Sequence, residues 1–266
     1  MHNDQNNDSI PAVTLENVAQ RFGNYTAVQG VNLQVAPGEF VAVVGPTGCG
    51  KSTLLNIIAG IRPPAEGEVR IFGDTLHGLN RSAGYLFQQD ALLPWKTALE
   101  NVALGLTFAG EPRQRARELA GEWLATVGLA GFGDRYPHQL SGGMRKRVAL
   151  AQVLIMDPKI LLMDEPFSAL DVQTRQLMEN ELLRLWEADQ KSVLFITHDL
   201  EEAIALADRV VVMSAGPASR PIGDFPINLS RPRDVTEIRL TDDFLEIHRE
   251  IWELLREEVM RAHGQA

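Results

Sequence analysis

Eight consecutive residues, Gly45-Pro46-Thr47-Gly48-Cys49-Gly50-Lys51-Ser52, have the composition to hold a chain of phosphates. They match in full the pattern of a glycine, four residues and Gly-Lys-Ser. The flanks suit it: an apolar run, Phe40–Val44, lies before it, and a helical pattern from about Lys51 to Ala59 follows. Glycines let such a loop curl until successive backbone N–H groups point inward at phosphate oxygens. The start of the helix adds the positive end of its dipole. Lys51 can then reach the β- and γ-phosphates, and the Ser52 hydroxyl can hold Mg²⁺. The loop and Thr53 after it form the expected nucleotide-binding set. Cys49 reads there as a small packed residue rather than a redox group.

A second cluster, Ile160-Leu161-Leu162-Met163-Asp164-Glu165, is an apolar strand ending in two acids. In open parallel sheets ligands bind at the carboxyl ends of strands. Asp164 is therefore expected beside the glycine-rich loop, completing a magnesium shell through water. Glu165 is expected to polarise an attacking water as general base. The glycine-rich loop alone could belong to a kinase, GTPase, helicase or transporter ATPase, so other residues must decide among them.

The deciding stretch is Leu140-Ser141-Gly142-Gly143-Met144, ahead of a helix predicted from near Arg145. It resembles the Leu-Ser-Gly-Gly-Gln signature of the ABC ATPase family, departing from it at Met144. The serine and glycines, small enough to approach an anion, are intact. The resemblance implies that Ser141, Gly142 and Gly143 contact the γ-phosphate of an ATP held by a second copy, in a head-to-tail homodimer. By the same resemblance, Gln88 is the glutamine that senses Mg²⁺ and water, and His198, in Thr197-His198-Asp199, is the switch histidine on the γ-phosphate. Ser168-Ala169-Leu170-Asp171 resembles the family's interface loop, so Ser168 and Asp171 are expected at the dimer interface. Phe22 is expected to stack on adenine, with Tyr25 close enough to compete. Arg145-Lys146-Arg147 reads as a solvated or interface face. Met144 also occurs in ABC ATPases of lipid trafficking, which keeps that reading open beside a non-transport ABC ATPase.

Within the family, Phe87-Gln88-Gln89-Asp90-Ala91-Leu92-Leu93-Pro94-Trp95 and Leu99-Glu100-Asn101-Val102 resemble the nitrate, sulfonate and taurine importer ATPases. Asp164–Asp171, Arg231-Pro232-Arg233 and Ile251-Trp252-Glu253-Leu254-Leu255 carry the same likeness. A cluster of exposed apolar and aromatic residues marks a docking surface. Leu92, Leu93 and Trp95 are accordingly expected to meet a cytoplasmic helix of a separate membrane permease dimer, served by a periplasmic substrate-binding protein. The resemblance implies ATP and Mg²⁺ as cofactors and uptake of a small anionic nutrient such as nitrate, a sulfonate or taurine.

The elements that must position these groups follow from the pattern of the chain. Strand-like runs at Val13–Ala19, Val31–Val35, Phe40–Val44, Glu68–Phe72 and Gly84–Phe87 precede a helical stretch over about 92–156. There Pro112 starts a helix on which Leu119, Trp123 and Val127 share a face. Ile160–Met163, Val172–Ala188, Val193–Thr197, Leu200–Ala207 and Arg209–Met213 then alternate strand and helix, predicting a parallel sheet with covering helices. Gly216–Pro232, with four prolines, reads as an extended connection. A final helix from about Asp242 to Met260, N-capped by Thr241, carries the apolar stripe Phe244, Ile247, Ile251, Leu254, Leu255 and Val259. The fold class is α/β, a P-loop NTPase of ABC type: a parallel RecA-like core, an N-terminal antiparallel β part and an inserted helical subdomain. Residues 1–10 read as a flexible tail, 11–240 as the ATPase domain and 241–266 as a helix packed on it.

Composition bounds the partners. The 266 residues carry a net charge of −10 with 45% hydrophobic residues, enough for a sizeable core and against a general nucleic-acid binder, which shows a basic footprint. A lone cysteine forms no internal disulfide and fits a reducing compartment. No leader pattern opens the chain and no apolar run nears the ~20 residues needed to span a bilayer. The expected location is peripheral, on the cytoplasmic face of the inner membrane.

Overall fold

The computed structural model describes residues 10–262 and residue 264. The tail expected over residues 1–10 lies, apart from Ile10, outside the described residues. Alternating apolar and polar residues build β1 (Val13–Phe22) and β2 (Tyr25–Val35), which pair antiparallel. Both are longer than the sequence pattern predicts, because β1 bulges in its middle. Leu15 pairs with Leu33 but Val18 with Val31, and Asn17 between them has φ 50° with its N–H bonded to Asn32 Oδ1. Asparagine tolerates that left-handed conformation, and the bulge shifts the apolar alternation by one residue.

After β3 (Phe40–Val44) and α1 (Lys51–Ile58), β4 (Glu66–Ile71) and β5 (Asp74–Thr75) complete a four-stranded antiparallel sheet ordered β2-β1-β4-β5. β6 (Ala83–Leu86) leads into the helical insert: α2 (Ala98–Val102), α3 (Leu104–Phe108), α4 (Arg113–Thr126) and α5 (Gly142–Leu154). The buried line of α4 is Ala116, Ala120 and Leu124, with Leu119 and Trp123 at its margin and Val127 buried just past its end. α5 begins at Gly142, three residues earlier than predicted, because the Ser141 hydroxyl accepts the Met144 N–H and caps it there.

Then come β7 (Ile160–Asp164), α6 (Val172–Asp189), β8 (Ser192–Ile196), α7 (Leu200–Leu206), β9 (Arg209–Met213), β10 (Pro221–Pro226), α8 (Val235–Ile238) and α9 (Asp242–Ala262). The second sheet is ordered β10-β9-β3-β8-β7-β6, parallel except for β10. Its strands read as continuous apolar runs because both faces are covered. Val41, Val43, Leu162, Leu194, Ile196 and Val211 face α1 and the antiparallel sheet. Their neighbours Ala42, Val44, Leu161, Met163, Phe195 and Val212 face the helices of the other side.

The stretch 216–232 is not a plain connection. β10 pairs antiparallel with β9 at the sheet edge, where strand prolines are tolerated because one row of N–H groups needs no partner. Past it, buried Arg233 donates to the carbonyls of Ile204, Ala205, Ala207, Ile227 and Leu229, tying the chain to α7. In α9, Phe244, Ile251 and Leu255 are buried, and Ile247, Leu254 and Val259 pack beside them. The Thr241 hydroxyl accepts the Phe244 N–H at 3.3 Å. Among the described residues no helix is long and apolar enough to cross a membrane.

Candidate active site

Four adjacent parallel strands end on one side of the sheet, and each hands functional groups to the same place. β3 leads to the glycine-rich loop, β8 to His198, β7 to Asp164 and Glu165, and β6 to Gln88. Thr47, Gly48, Gly50, Lys51, Ser52, Thr53, Gln88, Glu165 and His198 line one open cleft of about 460 Å³. Sequence spacing does not place residues 88, 165 and 198 together; the strand order does.

The loop needs its glycines for geometry. Gly48 and Gly50 have φ of +80° and +93°, and a Cβ on Gly50 would lie 2.6 Å from Val28 Cγ1. Gly50 is the N-cap of α1 and supplies no side-chain cap, so the first-turn N–H groups face the cleft uncapped by a side chain. Pro46 closes the turn by accepting the Cys49 N–H at 3.2 Å. Cys49 is buried, and that burial pushes its thiol above the usual range, as suits a packing residue. Lys51 is almost wholly buried; its Nζ donates to the Gly45 carbonyl at 2.8 Å and the Pro46 carbonyl at 3.1 Å.

Ser52 Oγ donates to Asp164 Oδ1 at 3.0 Å, and the Tyr85 phenol reaches Asp164 Oδ2 at 3.5 Å. Burial is the main reason the Asp164 carboxyl sits above its ordinary pKa, with the Glu165 charge acting the same way and the Ser52 hydroxyl opposing both. A divalent cation would reverse that balance. The donors are hard oxygens, which fits Mg²⁺. Among the described residues no group of three or more His, Cys, Asp or Glu side chains could hold a metal, so an ion here would take its other ligands from phosphate and water.

Glu165 has φ 43°, a left-handed conformation costly for a residue with a side chain. Its N–H continues the sheet to the Ile196 carbonyl at 2.9 Å. Its own carbonyl accepts the Ser168 hydroxyl at 3.0 Å and the Ser168 N–H at 3.3 Å. The turn so held points the carboxylate across the strand ends. Glu165 Oε2 meets His198 Nδ1 at 2.9 Å and Gln88 Nε2 at 3.5 Å. An ionised carboxylate only accepts, so in that state Nδ1 carries the proton and Nε2 is left for a ligand.

His198 is presented by a closed turn. Thr197 Oγ1 accepts the Asp199 N–H at 3.0 Å and donates to Glu202, and the Glu202 N–H returns to Asp199 Oδ1 at 3.2 Å. Burial pushes the Glu202 carboxyl up to about 8, with the charges of Glu179 and Asp199 adding to the shift and the Thr197 bond and Arg175 opposing it. Neither Tyr85 nor Glu202 lies in a motif, so pattern reading does not single them out. An acid four residues past a strand-ending histidine is the one available signal.

Other expected residues lie elsewhere. Ser141, Gly142 and Gly143 do not line this cleft. A Cβ on Gly143 would sit 2.5 Å from Thr174 Cγ2, whereas one on Gly142 would make an ordinary 3.6 Å contact with Leu170 Cδ2. Asp171 caps α6 by accepting the Thr174 N–H. Phe22 is 43% exposed, with the Arg62 guanidinium 4.8 Å from its ring centre, and Tyr25 pairs opposite it.

Two expectations are corrected. Leu92 is not an exposed docking residue: it is 9% exposed and belongs to the core of the helical insert, because the chain turns inward before α2. Leu93 is half-buried and Trp95 is 70% exposed. Fully buried Asn101 pins that turn, accepting the Leu93 N–H at 2.7 Å and donating to the Leu93, Lys96 and Thr97 carbonyls. Nor is Lys146 part of a solvated face: it is 4% exposed, its charge met by Asp90 and the Gln88 carbonyl, while Arg145 and Arg147 beside it are half-buried.

Known proteins resemble this chain over most of its length. The family model described as ABC transporter matches residues 28–168. An uncharacterized ABC transporter ATP-binding protein of Methanocaldococcus jannaschii is 47% identical over 252 residues, 93% of this chain and 92% of that one. A taurine import ATP-binding protein of Chromobacterium violaceum is 50% identical over 210 residues, 78% of this chain and 80% of that one. A solved dimeric ATP-binding cassette, in a post-hydrolysis state with ADP and Pi, superposes with a TM-score of 0.72 at 36% identity, covering 82% of this chain and all of that one.

Proposed function

The chain belongs to the ABC transporter family as an ATP-binding, ATP-hydrolysing subunit, and from that premise we propose that it powers import of a small anionic nutrient through a separate membrane permease. The observation that carries the hydrolytic part is the meeting of Glu165 with His198 and Gln88 beside the glycine-rich loop. The 50% identity to a taurine import ATP-binding protein supports the importer reading and makes a sulfonate the first substrate class to test. The cargo itself is selected by the permease and a periplasmic substrate-binding protein.

In this reading Lys51 exchanges the Gly45 and Pro46 carbonyls for β- and γ-phosphate oxygens, and the uncapped N–H groups of α1 hold the β-phosphate. Phe22 stacks on the adenine. Ser52 and Asp164, with Gln88, would hold Mg²⁺, which when bound neutralises charge on the phosphate oxygens. Glu165 takes a proton from water as its oxygen bonds to the γ-phosphorus and the bond to the bridging oxygen breaks, giving ADP and phosphate. His198 orients that carboxylate through Nδ1–H and offers Nε2 toward the γ-phosphate.

Ser141–Gly143 lie outside the cleft, and in this reading, by the family resemblance, they serve the nucleotide of a second copy. A head-to-tail homodimer, with Ser168 and Asp171 at its interface, completes each site. Closure then moves the paired helical inserts, with Leu93 and Trp95 carrying the motion to the permease at the cytoplasmic face of the inner membrane. Met144 packs against the main core; the lipid-trafficking reading rests on that residue's identity alone.

The test is recovery of partners by tagged Glu165→Gln chain, with ATP, from detergent-solubilised membranes, identified by mass spectrometry. A multi-spanning permease, lost when Trp95→Ala is added, is the expected result. Ribosomal, DNA-repair or lipid-trafficking partners in its place would overturn the transport reading while leaving the ATPase chemistry.

A further inference from the structure

Lys146 and Arg145 stand at the start of α5, one turn from Ser141, and both reach across to the segment after β6. Lys146 Nζ donates to the Gln88 carbonyl at 2.6 Å and lies 3.0 Å from Asp90 Oδ1. Arg145 Nε donates to Asp90 Oδ2 at 3.1 Å, while its Nη1 donates to the Leu140 carbonyl at 2.8 Å. Arg145 thus grips the Asp90 carboxylate and the backbone of the signature loop together. Asp90 Oδ1 is buried and accepts no hydrogen bond, so the ammonium of Lys146 meets it as a charge rather than as an aligned donor.

A lysine this deeply buried is costly unless its charge is met, and breaking such a pair from one side leaves the other charge stranded. The arrangement is therefore specific: Gln88 and Leu140 sit 52 residues apart in sequence, yet one carboxylate and two adjacent cations tie the Gln88 carbonyl to the Leu140 carbonyl, next to Ser141. Gln88 faces the cleft of its own chain, and Ser141 does not.

We infer that Asp90 is a positioning residue: through Lys146 and Arg145 it locks the Gln88 segment to the signature loop, so that the two move as one body. This rests on the head-to-tail dimer proposed above. Gln88 then reports on a subunit's own nucleotide and Ser141 touches the opposing one, so the link makes each site sense the other.

The test measures steady-state ATP hydrolysis against Mg²⁺ concentration for the full chain, its Gln88→Ala variant, Asp90→Asn, Lys146→Met and the double variant. Asp90→Asn keeps shape and removes charge; Lys146→Met replaces a buried cation by an apolar chain of similar length, and serves alone if Asp90→Asn does not fold. The expected result is that each single variant raises the Mg²⁺ needed for half-maximal hydrolysis about 5- to 10-fold, in the direction of Gln88→Ala. The double variant is expected to be no worse than the stronger single one, because both remove the same link. In the Glu165→Gln background, ATP affinity is expected to change less than about twofold, since Asp90 does not line the cleft. An unshifted Mg²⁺ dependence in Asp90→Asn and Lys146→Met, with Gln88→Ala shifted, would overturn the link alone. So would additive effects in the double variant. No shift in Gln88→Ala would overturn the Mg²⁺ role of Gln88, and no ATP-dependent dimer of Glu165→Gln in size-exclusion chromatography would overturn the dimer reading; either result takes the link with it.

Discussion

Replacing Gly142 and Gly143 singly by alanine separates a glycine kept for packing from one kept for a ligand. A Cβ on Gly143 would sit 2.5 Å from Thr174 Cγ2, about 1 Å inside an ordinary carbon contact. Thr174 cannot retreat easily, because Asp171 holds its N–H at 3.0 Å and its branched side chain is stiff. Overpacking of this kind costs about 1–3 kcal/mol. At roughly 2–4 °C per kcal/mol for a domain of this size, Gly143→Ala should melt several degrees lower. Gly142 is helical, without positive φ, and its added Cβ would meet Leu170 Cδ2 at 3.6 Å, so Gly142→Ala should be neutral or more stable by ~0.4–1 kcal/mol. If the Gly142 backbone approaches the γ-phosphate bound by a second copy, the new methyl displaces that phosphate by about 1 Å, and hydrolysis falls on the order of 100-fold. Calorimetric melting and phosphate release read the two effects apart. A stable Gly142→Ala protein with wild-type turnover would refute the phosphate role of the signature loop. An unchanged melting temperature for Gly143→Ala would refute the packing argument.

The acid behind His198 predicts a pH dependence of stability. Below about pH 4.5 Glu202 is protonated in both states; between 4.5 and about 8 the unfolded chain releases a proton that the fold keeps. Its contribution to stability therefore falls as pH rises through that window, and is fully lost above it. Glu202→Gln, neutral throughout, should flatten the decline in melting temperature from pH 5 to pH 8; parallel curves for the two proteins would disprove the buried-carboxyl assignment. For the adenine, Phe22→Ala should weaken ATP binding by ~1–3 kcal/mol in a calorimetric titration, with Tyr25→Ala nearly silent. The reverse pattern would move the stacking role to Tyr25.

The glycine-rich loop and the Asp164-Glu165 pair were legible because their constraints are local, whereas His198 was singled out only by the family resemblance. Positive φ at Gly48 and Gly50, uncapped N–H groups at a helix start and acids ending an apolar strand are properties of a few consecutive residues. Fully apolar strands likewise told of a sheet covered on both faces. The strand order was another matter, since parallel strands are joined by long crossovers and nothing in the spacing of Gln88, Glu165 and His198 states that β6, β7 and β8 are neighbours.

Burial of charge also escaped the sequence. Lys146 reads as part of a solvated or interface face in a basic run, and becomes a buried cation because Asp90, more than fifty residues earlier, arrives from another element to meet it. Leu92 reads as exposed beside Trp95, yet the turn pinned by Asn101 sends one inward and the other out. β10 hides among prolines because its partner, β9, lies eight residues back across a loop. Residue types thus determined which chemistry the chain can perform. Tertiary packing decided which groups meet and which charges are buried, because those outcomes depend on desolvation by distant neighbours.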